Sequence, residues 1–163
     1  MSGRAIQALV CISFSIVVAS PAHAATCNVS TTGISLGLYV PNQPLAADST
    51  GAVNISCNKS ALDALPLVVN YSVDISTGSG SSYALRAMTS GVHTLRYNLY
   101  REVSRISIWG DTTGGTSNVT GSLLLSQRLG SSSSTHSIYG RIFPDQNVMP
   151  GTYVDALLIT VTY

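Results

Sequence analysis

Apolar and polar residues alternate with a period of two through much of the chain. Between Leu67 and Ile75 every second residue is apolar, and Asn70, Ser72 and Asp74 lie between them. This period is that of a β-strand with one buried face. The pattern recurs, often in shorter form, in these segments: Cys27 to Val29, Ile34 to Leu38, Val53 to Cys57, Leu95 to Leu99, Arg105 to Trp109, Val119 to Leu125, Ser137 to Phe143 and Leu157 to Tyr163.

Turn-forming residues separate these runs at intervals of roughly ten to fifteen residues, which favours antiparallel strands joined by hairpins. The turn-like segments are Pro41 to Pro44, Asp48 to Gly51, Thr77 to Ser82, Asp111 to Ser117, Gly130 to Thr135 and Pro144 to Gly151. The only candidate helix is Ser60 to Leu65, which ends before Pro66. Because strands do not alternate with helices, we expect an all-β fold, an antiparallel two-sheet sandwich of about seven short strands.

The first 24 residues have the features of a secretory signal peptide. Arg4 precedes an apolar run from Ala5 to Ala19, and the small-x-small triplet Ala22-His23-Ala24 supplies a cleavage site. The run is shorter than the about 20 residues that a membrane helix needs, although a retained anchor helix is the alternative. We expect cleavage after Ala24, which leaves one secreted domain, residues 25–163, without a membrane span.

Cleavage would remove Cys11 and leave Cys27 and Cys57. Two cysteines in a secreted chain most simply form a disulfide, and two free buried thiols are the alternative. Cys57 shares its phase with Val53 and Ile55, so we expect it to face the core.

The charge content excludes several classes of protein. Charged residues make up 9% of the chain and the formal net charge is +1, so the composition is not that of a disordered chain. Nucleic-acid binding needs a basic face, whereas this chain has one lysine, Lys59, and scattered arginines. We therefore expect no nucleic-acid partner.

Candidate catalytic and metal-binding residues are isolated. Gly33 to Gly37 matches the pattern G-x-S-x-G, but Ser35 lies between strand-like segments and not in the strand-to-helix turn that a nucleophile elbow requires. His93 and His136 have no ligand-like spacing relative to the cysteines. We expect neither an enzyme nor a cofactor.

An ordered series of short motifs resembles the spore coat protein U domain, a family that includes the secreted pilins of archaic chaperone-usher systems. The series spans essentially the whole mature chain. Its members are Cys27, Leu36-Gly37-Leu38-Tyr39, Gly51 before Cys57, Arg86-Ala87-Met88, Leu95-Arg96-Tyr97-Asn98-Leu99-Tyr100, Trp109-Gly110-Asp111, Tyr139-Gly140-Arg141-Ile142, Gly151-Thr152-Tyr153-Val154-Asp155 and Val161-Thr162-Tyr163.

The resemblance implies an immunoglobulin-like sandwich that lacks one strand. In such pilins a periplasmic chaperone lends the missing strand, an outer-membrane usher catalyses assembly, and a neighbouring subunit finally donates a strand by β-augmentation. By analogy the acceptor groove lies between the first strand and the last, and the carboxylate of Tyr163 is available to the chaperone. The candidate lining residues, whose alternative role is ordinary core packing, are Ile34, Leu36, Leu157, Ile159, Val161 and Tyr163.

The expected function is therefore that of a structural subunit of a surface pilus or coat, secreted through the periplasm and serving adhesion or biofilm formation. Its expected partners are a periplasmic pilus chaperone, the usher and other pilin subunits. A self-complete secreted carbohydrate-binding or coat protein is the alternative. One departure is that only Ala25 and Thr26 precede Cys27 in the expected mature chain, so it could accept a strand but would lack the N-terminal extension with which archaic pilins donate one.

Overall fold

The computed structural model describes residues 6–9, 25–59, 66–126 and 130–163. The candidate helix Ser60–Leu65 and most of the expected signal peptide lie outside these residues. The described part contains one short 3-10 helix, Tyr83–Leu85, and otherwise consists of strands and loops. The strands are β1 Ile6–Leu9, β2 Ala25–Thr32, β3 Ser35–Tyr39, β4 Ala47–Lys59, β5 Leu67–Ile75, β6 Ala87–Ser90, β7 His93–Tyr100, β8 Val119–Leu125, β9 Ser131–Ile142 and β10 Ile159–Thr162.

The strands form two main antiparallel sheets. One has five strands in the order β2-β4-β9-β7-β6, and the other has three in the order β10-β5-β8. A separate two-stranded pairing joins β1 to β3. The prediction of an all-β antiparallel sandwich with immunoglobulin-like architecture is confirmed.

The core lies between the sheets and is filled by alternate residues of the strands. In β5 the buried residues are Val69, Tyr71, Val73 and Ile75, as the period of two predicts. Apolar alternation is therefore sufficient to orient this strand, because a shift by one residue would turn its whole apolar set towards solvent.

A disulfide joins Cys27 of β2 to Cys57 of β4, and these two residues are directly opposite each other in the ladder. Both cysteines belong to the buried core. The pairing predicted from the secreted context is thus formed, and it fixes the edge strand β2 to its neighbour.

Two segments predicted as turns are parts of long strands. Asp48 to Gly51 lies in β4 and most of Gly130 to Thr135 lies in β9, and these strands pair from Ala47 opposite Ile142 to Asn58 opposite Ser131. Serine, aspartate and glycine have weak strand propensity, but this preference depends strongly on context. Here the serine-rich half of β9 is paired with β4 along its length, which overrides the local preference.

Two other sequence predictions also differ from the structure. Arg105 to Trp109 is a loop with isolated bridges at Ile108 and Trp109, because Arg105 has a positive φ of 54° and the Glu102 carboxylate accepts the backbone N–H groups of Ile106 and Ser107. β6 was not predicted; it forms a hairpin with β7.

Candidate functional site: two strand edges and a buried polar clamp

The start of β3 and the residue before it pack on the inner face of the five-stranded sheet, where two glycines make room for them. A Cβ atom on Gly140 would lie 2.8 Å from Leu36 Cδ2, and one on Gly51 would clash with Ile34. Ile34 and Leu36 are both buried. The missing side chains of these glycines thus allow the predicted groove residues at this end of the chain to enter the core.

A β-bulge in β3 directs two residues into the core. Leu36 and Tyr39 are three positions apart, yet both are buried, and the pairing register shifts at Leu36, between Gly37 and Ser35. Gly37 has a φ of +74°, a conformation that suits glycine at such a bulge. Tyr39 is fixed at its hydroxyl, which accepts the N–H of Gln146 at 2.7 Å.

The outer edge of β3 carries an additional strand. β1 pairs with it antiparallel, from Ile6 opposite Tyr39 to Leu9 opposite Ser35. β1 belongs to the segment predicted as the signal peptide. Its pairing shows that this edge can form a ladder with an extended segment.

The edge of β10 is available for pairing on one side. Leu158 O accepts the N–H of Ser76, while Ile75 N points away from β10 to Gly110 O. Because hydrogen-bonded and non-bonded pairs alternate in an antiparallel ladder, Thr160 and Thr162 direct their backbone groups to β5. Ile159 and Val161 direct theirs to the opposite side, where none of the described strands pairs with β10.

The predicted groove residues enter one core from the two sides of the sandwich. Leu157, Ile159 and Val161 are buried beside the three-stranded sheet, and Tyr163 is partly buried against the same core. Val161, at 9% exposure, is the most accessible of the five buried candidates. The structure brings both groups into one hydrophobic cluster in which the five are almost fully covered.

A set of buried polar residues that the sequence reasoning did not single out as a site lies between the sheets. We call Arg86, Tyr97, Asn98, Trp109 and Asp155 the polar clamp. Each of them falls within a motif that carried the family resemblance. One signal was visible in the sequence: Asp155 shares the phase of Tyr153 and Leu157, where a charged residue is unexpected.

Arg86 is the centre of the polar clamp and is fully buried. Its Nη1 donates to Asn98 Oδ1 at 3.0 Å, and its Nε donates to Ser76 O at 3.1 Å. Its Nη2 donates to the carbonyl oxygens of Ile75, Ser76 and Trp109 at 3.2, 2.8 and 2.7 Å. Burial lowers the pKa of Arg86, and Tyr97, Tyr83 and Asp155 act in the opposite direction.

Asp155 occupies the other end of the polar clamp. Its carboxylate accepts the Tyr97 hydroxyl at 2.6 Å and the Ser79 N–H at 2.8 Å. Burial raises the pKa of Tyr97, and the nearby Asp155 charge raises it further. The indole N–H of Trp109 donates to Val73 O at 2.9 Å and so connects the clamp to β5.

The remaining candidate residues have structural surroundings. His136 Nε2 lies 2.8 Å from the Tyr71 hydroxyl, and burial lowers the pKa of His136. Ser35 lies at the start of β3, where its carbonyl accepts the Ser49 hydroxyl, and His93 is exposed at the start of β7. Among the described residues there is no cluster of three or more potential metal ligands and no helix that could span a membrane.

The fold and these motifs are those of one family of β-sandwich domains. The family model described as the Spore Coat Protein U domain matches residues 13–160, and the chain belongs to this family. The resemblance that the sequence motifs indicated is confirmed.

Two particular proteins are similar to the chain. Protein U of Myxococcus xanthus is 30% identical over 135 residues, which cover 80% of this chain and 71% of that protein. Among solved structures, the CsuC-CsuE chaperone-tip adhesion subunit pre-assembly complex from archaic chaperone-usher Csu pili of Acinetobacter baumannii matches with a TM-score of 0.50 and 15% identity. That match covers 85% of this chain but only 40% of the matched chain. Because the identity is low, it establishes similarity of fold. The matched family is a spore coat protein family, in agreement with the prediction that the chain is not an enzyme.

Proposed function

We propose that this chain is a structural subunit of a surface pilus or coat and that it accepts a strand from a partner protein. The observation that carries the proposal is the edge of β10. Ile159 and Val161 present their backbone groups on a side that none of the described strands occupies, while their side chains point into the core. An extended segment could therefore add backbone hydrogen bonds at this edge and apolar contacts at alternate positions.

An unpaired strand edge of this kind is a liability for a secreted protein, because it can template aggregation. A chaperone strand that covers the edge during export would prevent this, and a strand from a neighbouring subunit would replace it in the assembled polymer. The pairing of β1 with β3 supports the proposal, since it shows strand addition at another edge of the same domain.

The proposed acceptor groove is lined by the six candidate residues Ile34, Leu36, Leu157, Ile159, Val161 and Tyr163. Because these residues are buried, an incoming strand would contact them only where it displaces the residues that now pack over them. The proposed partners are a periplasmic pilus chaperone, an outer-membrane usher and other subunits. Removal of residues 1–24 during export, localisation at the cell surface, and a role in adhesion or biofilm formation belong to the same proposal.

The experiment is co-expression of the full-length chain with a periplasmic pilus chaperone, followed by purification through a tag on the chaperone. Val161→Pro removes the N–H that faces the open edge, and it also replaces the branched valine side chain with the proline ring. Val161→Ala is the matched control, because it shortens the same side chain but keeps the N–H. We expect the chaperone to capture the wild type and the alanine variant and to lose the proline variant.

Equal capture of the proline and alanine variants would show that the β10 edge does not pair with the chaperone. The main alternative is a self-complete coat protein, which the burial of the groove residues favours. A wild-type chain that is exported and monomeric without any chaperone, and that binds no chaperone when one is co-expressed, would support that alternative and refute strand acceptance.

A further inference from the structure

The final segment of the chain changes sheets immediately before β10. Val154 exchanges two backbone hydrogen bonds with Thr89 of β6, at 2.8 and 3.0 Å, and so belongs to the edge of the five-stranded sheet. Four residues later Leu158 is bonded to Ser76, and β10 continues along β5 in the other sheet. The side chain that enters the core at the start of this crossing is Asp155, which is only 2% exposed.

A buried carboxylate at such a position is costly unless hydrogen bonds compensate for its lost hydration. Here the two oxygen atoms are bonded separately, Oδ2 by the Tyr97 hydroxyl and Oδ1 by the Ser79 N–H. The first distance, 2.6 Å, is in the range of a charge-assisted O–H···O bond. Tyr97 belongs to the five-stranded sheet and Ser79 to the turn after β5, so Asp155 is held from both sheets at once.

The turn after β5 is built around this carboxylate. Gly78 has a φ of +67°, and a Cβ atom there would clash with Asp155 and lie 2.7 Å from Leu157 Cδ2. The same turn bonds Leu158 through both the N–H and the hydroxyl of Ser76. Arg86 in turn holds the Ser76 carbonyl with two donors. The polar clamp therefore fixes the point from which β10 starts.

We infer that Asp155 is a positioning residue for strand capture, which holds β10 in register on β5 before a complementing strand pairs with its open edge. This inference rests on the proposed function for its consequence, but its structural part concerns the chain alone. β10 has four residues and is paired on one side, so it depends on its anchored start. If this anchored start is lost, β10 is ordered in only a fraction of the molecules. The apparent affinity for the complementing strand is then the intrinsic affinity multiplied by that fraction.

The test uses Asp155→Asn, which keeps the size of the side chain but offers one acceptor oxygen where the carboxylate has two. The matched control is Val53→Ala, which shortens a fully buried residue of β4, away from the crossing. Tyr97→Phe is a second variant, which removes only the hydroxyl that bonds Asp155. Two quantities are measured: amide hydrogen exchange along the chain, and the affinity for the periplasmic pilus chaperone that captures the wild type.

We expect Asp155→Asn and Tyr97→Phe to increase exchange selectively at Thr160 and Thr162, whose N–H groups bond β5, and to reduce chaperone affinity about tenfold. Because the Tyr97 hydroxyl bonds the Asp155 carboxylate, the effects of the two substitutions should be less than additive in the double variant. Val53→Ala should increase exchange broadly and leave affinity within about twofold of wild type under folding conditions.

The inference is overturned if the clamp variants affect exchange in β10 no more than in β4 and β9, or if affinity changes in Val53→Ala as much as in Asp155→Asn. Should Asp155→Asn fail to fold, the comparison is made with Tyr97→Phe, which retains the carboxylate and its bond to Ser79. If no variant and not even the wild type binds a chaperone, while exchange still increases selectively in β10, the positioning of β10 stands and the proposed function fails.

Discussion

Replacement of the buried Arg86 by alanine should cost a large part of the stability of this domain. The guanidinium donates five hydrogen bonds, and four of them go to the main-chain carbonyl groups of Ile75, Ser76 and Trp109. The fifth goes to Asn98 Oδ1, which also accepts the N–H of Leu99. Alanine would therefore leave three carbonyl groups without their present donor, those of Ile75 and Trp109 being buried and that of Ser76 partly buried.

Each buried polar group left unsatisfied costs about 1–3 kcal/mol. Water entering the space left by the side chain would satisfy part of this requirement, and Asp155 would lose a compensating positive charge. We therefore expect Arg86→Ala to lower the free energy of unfolding by about 3–5 kcal/mol, the range typical of breaking a buried charge network from one side. The free energy of unfolding of Arg86→Lys should lie between those of the wild type and Arg86→Ala, because a lysine ammonium group cannot reproduce the planar set of donors of the guanidinium.

The assay is equilibrium urea unfolding of the purified chain, followed by tryptophan fluorescence. Trp109 is the only tryptophan, it is fully buried, and its carbonyl oxygen accepts Arg86, so its emission reports directly on this region. Arg101→Ala is the control, since Arg101 is exposed and its removal should change stability by no more than about 0.5 kcal/mol. A loss below about 1 kcal/mol for Arg86→Ala would refute the view that the polar clamp joins the sheets.

Two further predictions concern the disulfide and the partly buried His136. Replacing Cys27 and Cys57 together by alanine should lower the free energy of unfolding by about 3–4 kcal/mol on the chain-entropy model, since the bridged residues are 30 positions apart. Urea unfolding of this variant and of the reduced wild type should give the same free energy. An unchanged unfolding midpoint in the variant would contradict the prediction. Burial places the pKa of His136 below its usual value of 6.5. Between this lowered pKa and 6.5 the unfolded chain binds more protons than the folded chain, so stability should decrease as the pH falls below about 6.5. His136→Gln should remove this part of the pH dependence in unfolding curves recorded from pH 7.5 to 5, and an identical slope in the variant would assign it to other groups.

Local pattern was sufficient for those parts of the fold in which each residue's environment follows from its own strand. The apolar alternation in β5 predicted which of its faces is buried. The shared phase of Val53, Ile55 and Cys57 predicted that the cysteine faces the core. The secreted context then predicted the disulfide partner. These inferences hold because side-chain direction in a strand alternates strictly along the chain.

The lengths of the strands could not be predicted from the local sequence pattern. β9 begins with four serines that the sequence marks as a loop, yet Ser131 to Ser134 pair with Asn58 to Ile55 of β4. The neighbouring strand supplies the hydrogen bonds that compensate for weak propensity. Conversely, the apolar alternation around Ile106 and Ile108 does not form a regular strand, because Glu102 bonds the backbone there.

By itself, the sequence determined the fold class, the family and the covalent bridge, since each depends on periodicity, on recognisable local motifs or on the number of cysteines. Only the tertiary structure decided the polar clamp and the directions of the backbone groups at β10. Asp155 lies 58 residues after Tyr97 in the chain, and each of Arg86, Tyr97 and Asp155 would be an unfavourable buried polar group alone. They become compatible with a core only when the folded sheets bring their hydrogen-bond partners together.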